Sequence, residues 1–109
     1  MTEYIQVVVT TSSKEEAERI VRTTLEKRLV GCAQIIGPVT STYWWQGRIE
    51  VAEEWLCLMK SRLDLYQDLE ATIHSLHSYQ VPEILAIPVA TGSSKYLKWL
   101  DEVLKRKPP

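Results

Sequence analysis

An excess of charge of either sign is the first thing this chain lacks: 13 Lys and Arg stand against 14 Asp and Glu over 109 residues. Nucleic acids and anionic membranes are gripped by clustered positive charge, so neither is expected as a partner. The one basic run, Lys105-Arg106-Lys107 before Pro108-Pro109, suits a helix C-terminus fraying into solvent. No apolar run approaches the roughly 20 residues that a membrane-spanning helix needs. Met1-Thr2-Glu3 leads straight into a short strand with no secretory leader, so a soluble, cytoplasmic protein is expected. Cysteine is scarce, and Cys32 and Cys57 lack CxxC spacing, which makes free thiols the default. Nucleophilic and phosphate motifs are missing too. No serine lies in a Gly-x-Ser-x-Gly turn, and Gly92-Ser93-Ser94 is too short for a phosphate loop. With no repeat, low-complexity tract or linker, the expectation is one non-enzymatic domain over residues 1–109.

Apolar residues make up 45% of the chain and charged residues 25%, an ordinary globular balance. A domain of this size buries about two-thirds of the surface its unfolded chain exposes. The β-branched run from Tyr4 to Thr10 suits a central strand covered on both faces. Ser13-Lys14-Glu15-Glu16 is a capping box opening a helix with Ala17, Ile20, Val21, Leu25 and Leu29 on one face. Gly31 is expected to stop it. Cys32 begins a β-rich arm that Gly37-Pro38 interrupts, and a second arm runs to Met59. Ser61-Arg62-Leu63-Asp64 reads as a second cap, followed by a helix ending near His77. Ile84 to Ala90 forms the fourth strand, with Pro88 at an edge or strand end. A last helix carries Leu97, Leu100 and Leu104. The order βαββαβ plus a terminal helix predicts an α+β, ferredoxin-like plait with a four-stranded antiparallel sheet.

Gln46-Gly47 sits between two long aromatic and β-branched arms, which is a hairpin signal because glycine reaches positive φ freely. Each arm is about twice the usual strand of roughly 5–6 residues. The other strands are short, so the tip carrying Tyr43, Trp44 and Trp45 must overhang the sheet. Large aromatics seldom stay bare on a monomer, and a second copy of the chain is the natural cover. From Trp55 to Met59 every residue is apolar, so that segment needs cover on both faces. The helices suffice for one face, which again asks for a partner copy. The alternative is that Gly37-Pro38 folds the first arm back and the aromatics join the home core.

His74 and His77 lie at i, i+3 near a helix end, with Glu83 across the following loop. That spacing permits a divalent metal site. Equally, His74 faces solvent and His77 caps the helix. Cys32 serves as a further ligand only if the fold brings it near. Glu50, Glu53 and Glu54 are acid–base candidates, or the charged edge of a solvated arm. Plaits also recognise RNA through aromatics on central strands, but the first strand offers only Tyr4 at its start.

Four stretches in register resemble one family. They are Gly31-Cys32-Ala33, Tyr43-Trp44-Trp45-Gln46-Gly47, the segment from His77 through Tyr79, Pro82 and Glu83 to Ile84, and Tyr96-Leu97-Lys98-Trp99-Leu100. Their order and spacing are similar to CutA, the divalent cation tolerance proteins, over almost the whole chain. The resemblance implies a PII-like homotrimer whose long hairpins wrap neighbouring subunits. It also implies tolerance of copper and other divalent cations, with no obligatory cofactor. In one bacterial branch the implied copper ligands are a strand-end cysteine and two adjacent histidines. Here those positions read Val9-Thr10 and Leu76-His77, so only His77 matches. The family's cleft positions fall on Cys32, Tyr43, Trp45, Lys60, His77, Tyr79 and Glu83. Two roles follow from the resemblance: weak binding of Cu2+ or another divalent ion through His77, or sensing of a small anionic metabolite between subunits. The same residues would serve equally as interface.

Overall fold

A computed structural model describes residues 3–106; Met1-Thr2 and the end of the basic run, Lys107 with Pro108-Pro109, lie outside the described residues. The element order is β1 (Tyr4–Thr11), α1 (Lys14–Glu26), β2 (Cys32–Trp45), β3 (Arg48–Arg62), α2 (Tyr66–Leu76), β4 (Ile84–Pro88) and α3 (Ser94–Val103). One sheet runs β2-β3-β1-β4 with every neighbouring pair antiparallel. This is the expected α+β, ferredoxin-like plait with its extra helix. Ile5, Val7 and Val9 of β1 and Cys57 and Met59 of β3 join Ala17 and Ile20 of α1 and Leu69 and Ile73 of α2 in one buried core. Each such aliphatic side chain contributes about 1.5–3 kcal/mol on burial. Pro88 lies on β4, an edge strand paired with β1 alone, where its missing amide costs little.

The helix boundaries differ from the sequence reading in two places. Helix α1 ends at Glu26 with Lys27 as its cap, and the chain turns off at Arg28, not at Gly31. Arg28 takes a left-handed φ of 57°, its amide donates to the Leu25 carbonyl at 2.9 Å, and the Leu29 amide donates to Thr24 at 3.0 Å. That pair of bonds is a Schellman ending. Gly31 has another use: a Cβ there would lie 2.5 Å from Leu100 Cδ1, so glycine lets α3 approach. Nor does Ser61 cap α2. Strand β3 continues to Arg62 opposite Tyr4, the Ser61 hydroxyl donates to the Leu29 carbonyl at 2.7 Å, and a 3-10 turn (Leu63–Leu65) precedes the helix.

The hairpin turns at Gln46 and Gly47, with φ of 50° and 79°, and closes on the pair Trp45 and Arg48. Two successive positive φ values give the type I′ geometry that matches strand twist. A register shift between Ile36 and Val39 marks the expected interruption at Gly37-Pro38. Strand β1 ends with Thr11 opposite Trp55, so everything from Val39 to Glu54 extends past the sheet with only its own partner arm beside it. The molecule is accordingly elongated, 46 × 25 × 22 Å. Trp44 is 72% exposed, Ile49 60% and Val51 65%. The aromatics have not folded home.

Strand alternation puts Val8, Leu56 and Leu58 on the face away from α1 and α2, where they are half-buried, beside the exposed Ile36, Leu85 and Ile87. The expected two-sided burial of β1 and β3 is therefore only half realised within one chain. Helix α3 meets one end of that face. There Arg62, 2% exposed, bonds Asp64 at 2.9 Å and Asp101 at 3.3 Å, and the Tyr4 hydroxyl donates to Asp101 at 2.6 Å.

Candidate functional site

Where the hairpin leaves the sheet, it and the loop after α2 enclose a groove of about 840 Å³. One wall is the hairpin, with Ser41, Tyr43, Trp45 and Glu54; the other is the loop from Ser78 to Glu83, with Thr10 at the base. Residues paired across a hairpin share a face, so the partner pairs Tyr43 with Glu50 and Trp45 with Arg48 put both rings on the Glu54 side. Glu54 is in phase with Leu56 and Leu58 along β3, which carries a carboxylate into a position the alternation reserves for apolar groups.

Three residues hold the loop, the first of them through two bonds. His77 ends α2, and its Nε2 lies 2.7 Å from the Thr10 carbonyl while Nδ1 accepts from the Tyr79 amide at 3.0 Å. A carbonyl only accepts and an amide only donates, so this pattern fits the tautomer with hydrogen on Nε2. Second, the Ser78 amide donates to Glu16 Oε2 at 2.7 Å. Third, the Tyr79 hydroxyl donates to Glu54 Oε2 at 2.8 Å. The capping box is thus half formed: the Glu16 amide donates to Ser13 Oγ at 3.1 Å, but the Glu16 carboxylate reaches the loop instead of the cap.

Electrostatics follow from this packing. Burial opposes ionisation of Glu16, yet its bonds from Ser78 and the nearby His77 hold its pKa below the usual carboxylate value. Its Oε1 has no hydrogen-bond partner among the described residues. Burial, then the bond to Glu54, raises the Tyr79 hydroxyl above the usual tyrosine value. The Cys57 thiol, buried and near Glu16, is pushed up to about 11, which leaves it inert at neutral pH.

Of the seven cleft positions, Tyr43, Trp45, Tyr79 and Glu83 line the groove. His77 stands behind it, its ring 4.9 Å from that of Tyr79. Cys32 and Lys60 do not join them. They face each other across β2 and β3, where Lys60 Nζ donates to Gln34 Oε1 at 2.7 Å and Gln34 Nε2 to Cys32 Sγ at 3.3 Å. Six positions along β3 from Glu54 to Lys60 amount to about 20 Å. Glu16 was missed as a site residue, and Glu54 was expected only as an acid–base candidate or part of a solvated charged edge, although each had a signal of burial. Glu54 continues the Leu58, Leu56 alternation, and Glu16 precedes the buried Ile20 and Thr24 at helical spacing of four.

A divalent metal was tested against these residues. His77 has both ring nitrogens engaged, His74 and Glu83 are exposed on separate elements, and no group of three His, Cys, Asp or Glu among the described residues is placed to hold an ion. One chain does not fit a closed metal cage. Among the described residues no helix is long and apolar enough to cross a membrane.

Comparison with known proteins supplies the family. The family model described as CutA1 divalent ion tolerance protein matches residues 5–103. The divalent-cation tolerance protein CutA of Archaeoglobus fulgidus is 38% identical over 99 residues, covering 91% of this chain and 96% of that one. A rice protein named CutA 1, chloroplastic, is 35% identical over 96 residues, covering 88% of this chain and 54% of its own length. The solved divalent cation tolerance protein of Thermus thermophilus superposes with a TM-score of 0.91 at 37% identity, covering 94% of this chain and 99% of that one. The four stretches, the plait and its long hairpin are accounted for together: the chain belongs to the CutA1 divalent ion tolerance protein family.

Proposed function

We propose that the chain acts as a single-domain, non-enzymatic homotrimer in tolerance of divalent metal ions, with the groove under the hairpin as its ligand site. The observation that carries the assembly is the overhang: the ribbon from Val39 to Glu54 leaves Trp44, Ile49 and Val51 bare on one face, while the sheet face away from α1 and α2 shows Ile36, Leu85 and Ile87. Bare apolar area on both the ribbon and the sheet is what further copies of the chain cover. Contact with Cu2+ or another divalent ion is then weak, because His77 offers no free lone pair. A cytoplasmic location fits the two free thiols, although the rice relative's name places it in the chloroplast. Light scattering at micromolar concentration tests the assembly, and a monomer there sinks it. Copper titration calorimetry tests the ion: heat unchanged by His77→Ala and by loss of both thiols removes those ligands.

The second reading is a PII-like sensor of a small anionic metabolite. The size of the groove and its aromatic wall favour an organic ligand over a bare ion. Its one basic candidate, Lys60, lies outside the groove of its own chain, so this reading needs the Lys60 of a neighbouring copy. Binding of an anion panel that Lys60→Ala abolishes supports it.

A further inference from the structure

We propose that the groove takes an organic cation, a ligand carrying an ammonium group on an apolar body, in preference to an anion or a bare metal ion. The inference rests on the reading of this groove as the ligand site and adds its chemical class. Charge is the first reason. Glu54 and Glu83 are the charged residues lining the groove, and no Lys, Arg or His among the described residues lines it. The nearest cation in register, Arg48, opposite Trp45, is turned to Glu50 at 3.7 Å with its side chain 82% exposed. An anion entering here meets two carboxylates and no counter-charge from the described residues of the same chain.

Glu54 is the second reason. The residue is 5% exposed, yet it borders the groove. The Tyr79 hydroxyl donates to its Oε2 at 2.8 Å. One neutral donor offsets only part of the cost of burying a carboxylate, and an ammonium supplies both a further proton donor and the opposite charge. The aromatic wall is the third reason. Tyr79 donates to that carboxylate, Tyr43 and Trp45 line the same groove further along the hairpin, and ring faces attract cations. A bare divalent ion gains little from rings and needs more oxygen ligands than two separated carboxylates offer.

The test uses three ligands of one shape on the full oligomer: cyclohexylmethylamine, cyclohexylmethanol and cyclohexanecarboxylate, with copper chloride as a fourth. Tryptophan fluorescence and calorimetry read binding. Saturable binding of the amine at about tenfold lower concentration than the alcohol is expected, the scale of one charge-assisted contact. Glu54→Gln, which keeps an acceptor for Tyr79, removes that preference, and the exposed Glu83→Gln weakens it without risk to the fold. Equal binding of amine and alcohol, or preference for the carboxylate or for copper, overturns the cationic class while the groove stands as the site. If none of the four binds, the groove reading falls as well.

Discussion

Tyr79 and Glu54 tie together two parts of the chain that share no strand pairing. The phenol donates to a carboxylate that is 5% exposed, and so fastens the loop after α2 to the base of the overhanging hairpin. Tyr79→Phe removes the donor and leaves the buried Glu54 oxygen unmet. The expected cost is about 1–3 kcal/mol, the usual penalty for orphaning a buried acceptor. Equilibrium denaturation of wild type and variant under identical oligomer concentration reads it. Equal stability would show that water replaces the phenol.

The same bond sets an alkaline limit. The Tyr79 hydroxyl holds its proton more tightly folded than unfolded, chiefly through burial and then through Glu54. A folded pKa raised in this way contributes stability that is whole below the ordinary value of 10.0 and is lost as pH climbs past it. Denaturation midpoints between about pH 9 and pH 11 are expected to fall for wild type and to fall less for Tyr79→Phe. Parallel curves would assign the alkaline loss to other groups.

Glu16 does the opposite on the acid side. Burial works against its charge, but the Ser78 bonds and His77 win, and the folded pKa lies below 4.5. Stability from such a group is present above the unfolded value and lost as pH falls through the folded one. Below about pH 4.5 the wild type is expected to lose stability more steeply than Glu16→Gln. Acid titrations followed by circular dichroism compare the two slopes.

Much of this architecture could be read from residue order, and the failures have local causes. Alternation and β-branching gave β1, β3 and β4, and Gln46-Gly47 between long arms gave the overhang. The stop of α1 escaped because Arg28 takes a left-handed φ that sequence normally signals with glycine, while Gly31 serves close packing against Leu100. Ser61 resembled a cap because cap chemistry is local, whereas strand pairing with β1 decides where β3 ends. Half the groove was visible in the Tyr43, Trp45, Tyr79 and Glu83 positions. Cys32 and Lys60 were grouped with them from the family resemblance, but six strand positions separate Lys60 from Glu54. The burial of Glu16 and Glu54 was hidden for a different reason: composition treats Glu as surface, and only its phase against Ile20 or Leu56 shows otherwise.

Helix α3 hangs on Arg62. Its guanidinium reaches Asp64, Asp101 and the Lys105 carbonyl from a position 2% exposed. Both carboxylate partners are partly solvated, at 32% and 40% side-chain exposure, so they can rehydrate when the arginine is removed. Arg62→Met is therefore expected to cost about 1–3 kcal/mol, below the range for a fully buried pair. The loss is local. Hydrogen exchange should show α3 amides losing protection while β1 and β3 keep theirs, and uniform loss would mean that Arg62 supports the core itself.

Trp44 and Ile49 face each other across the hairpin at 72% and 60% exposure, on the strand face opposite Tyr43 and Trp45, although Trp44 also borders the groove. Neither is among the buried core residues, so changing them takes nothing from the fold of one subunit. In the proposed trimer they are what a neighbour covers, and a buried tryptophan anchor is worth about 2 kcal/mol or more to an interface. Trp44→Ser is expected to shift the assembly toward monomer on dilution, and Ile49→Ser to add to it. Trp45→Ser, changed on the opposite face, weakens assembly as well and also blunts the groove. Sedimentation across a dilution series, with circular dichroism to verify the subunit fold, separates these effects. A Trp44→Ser protein that keeps the wild-type mass at every concentration would mean the tip is left bare in the assembly, and the case for a covering copy would then rest on Ile36, Leu85 and Ile87 alone.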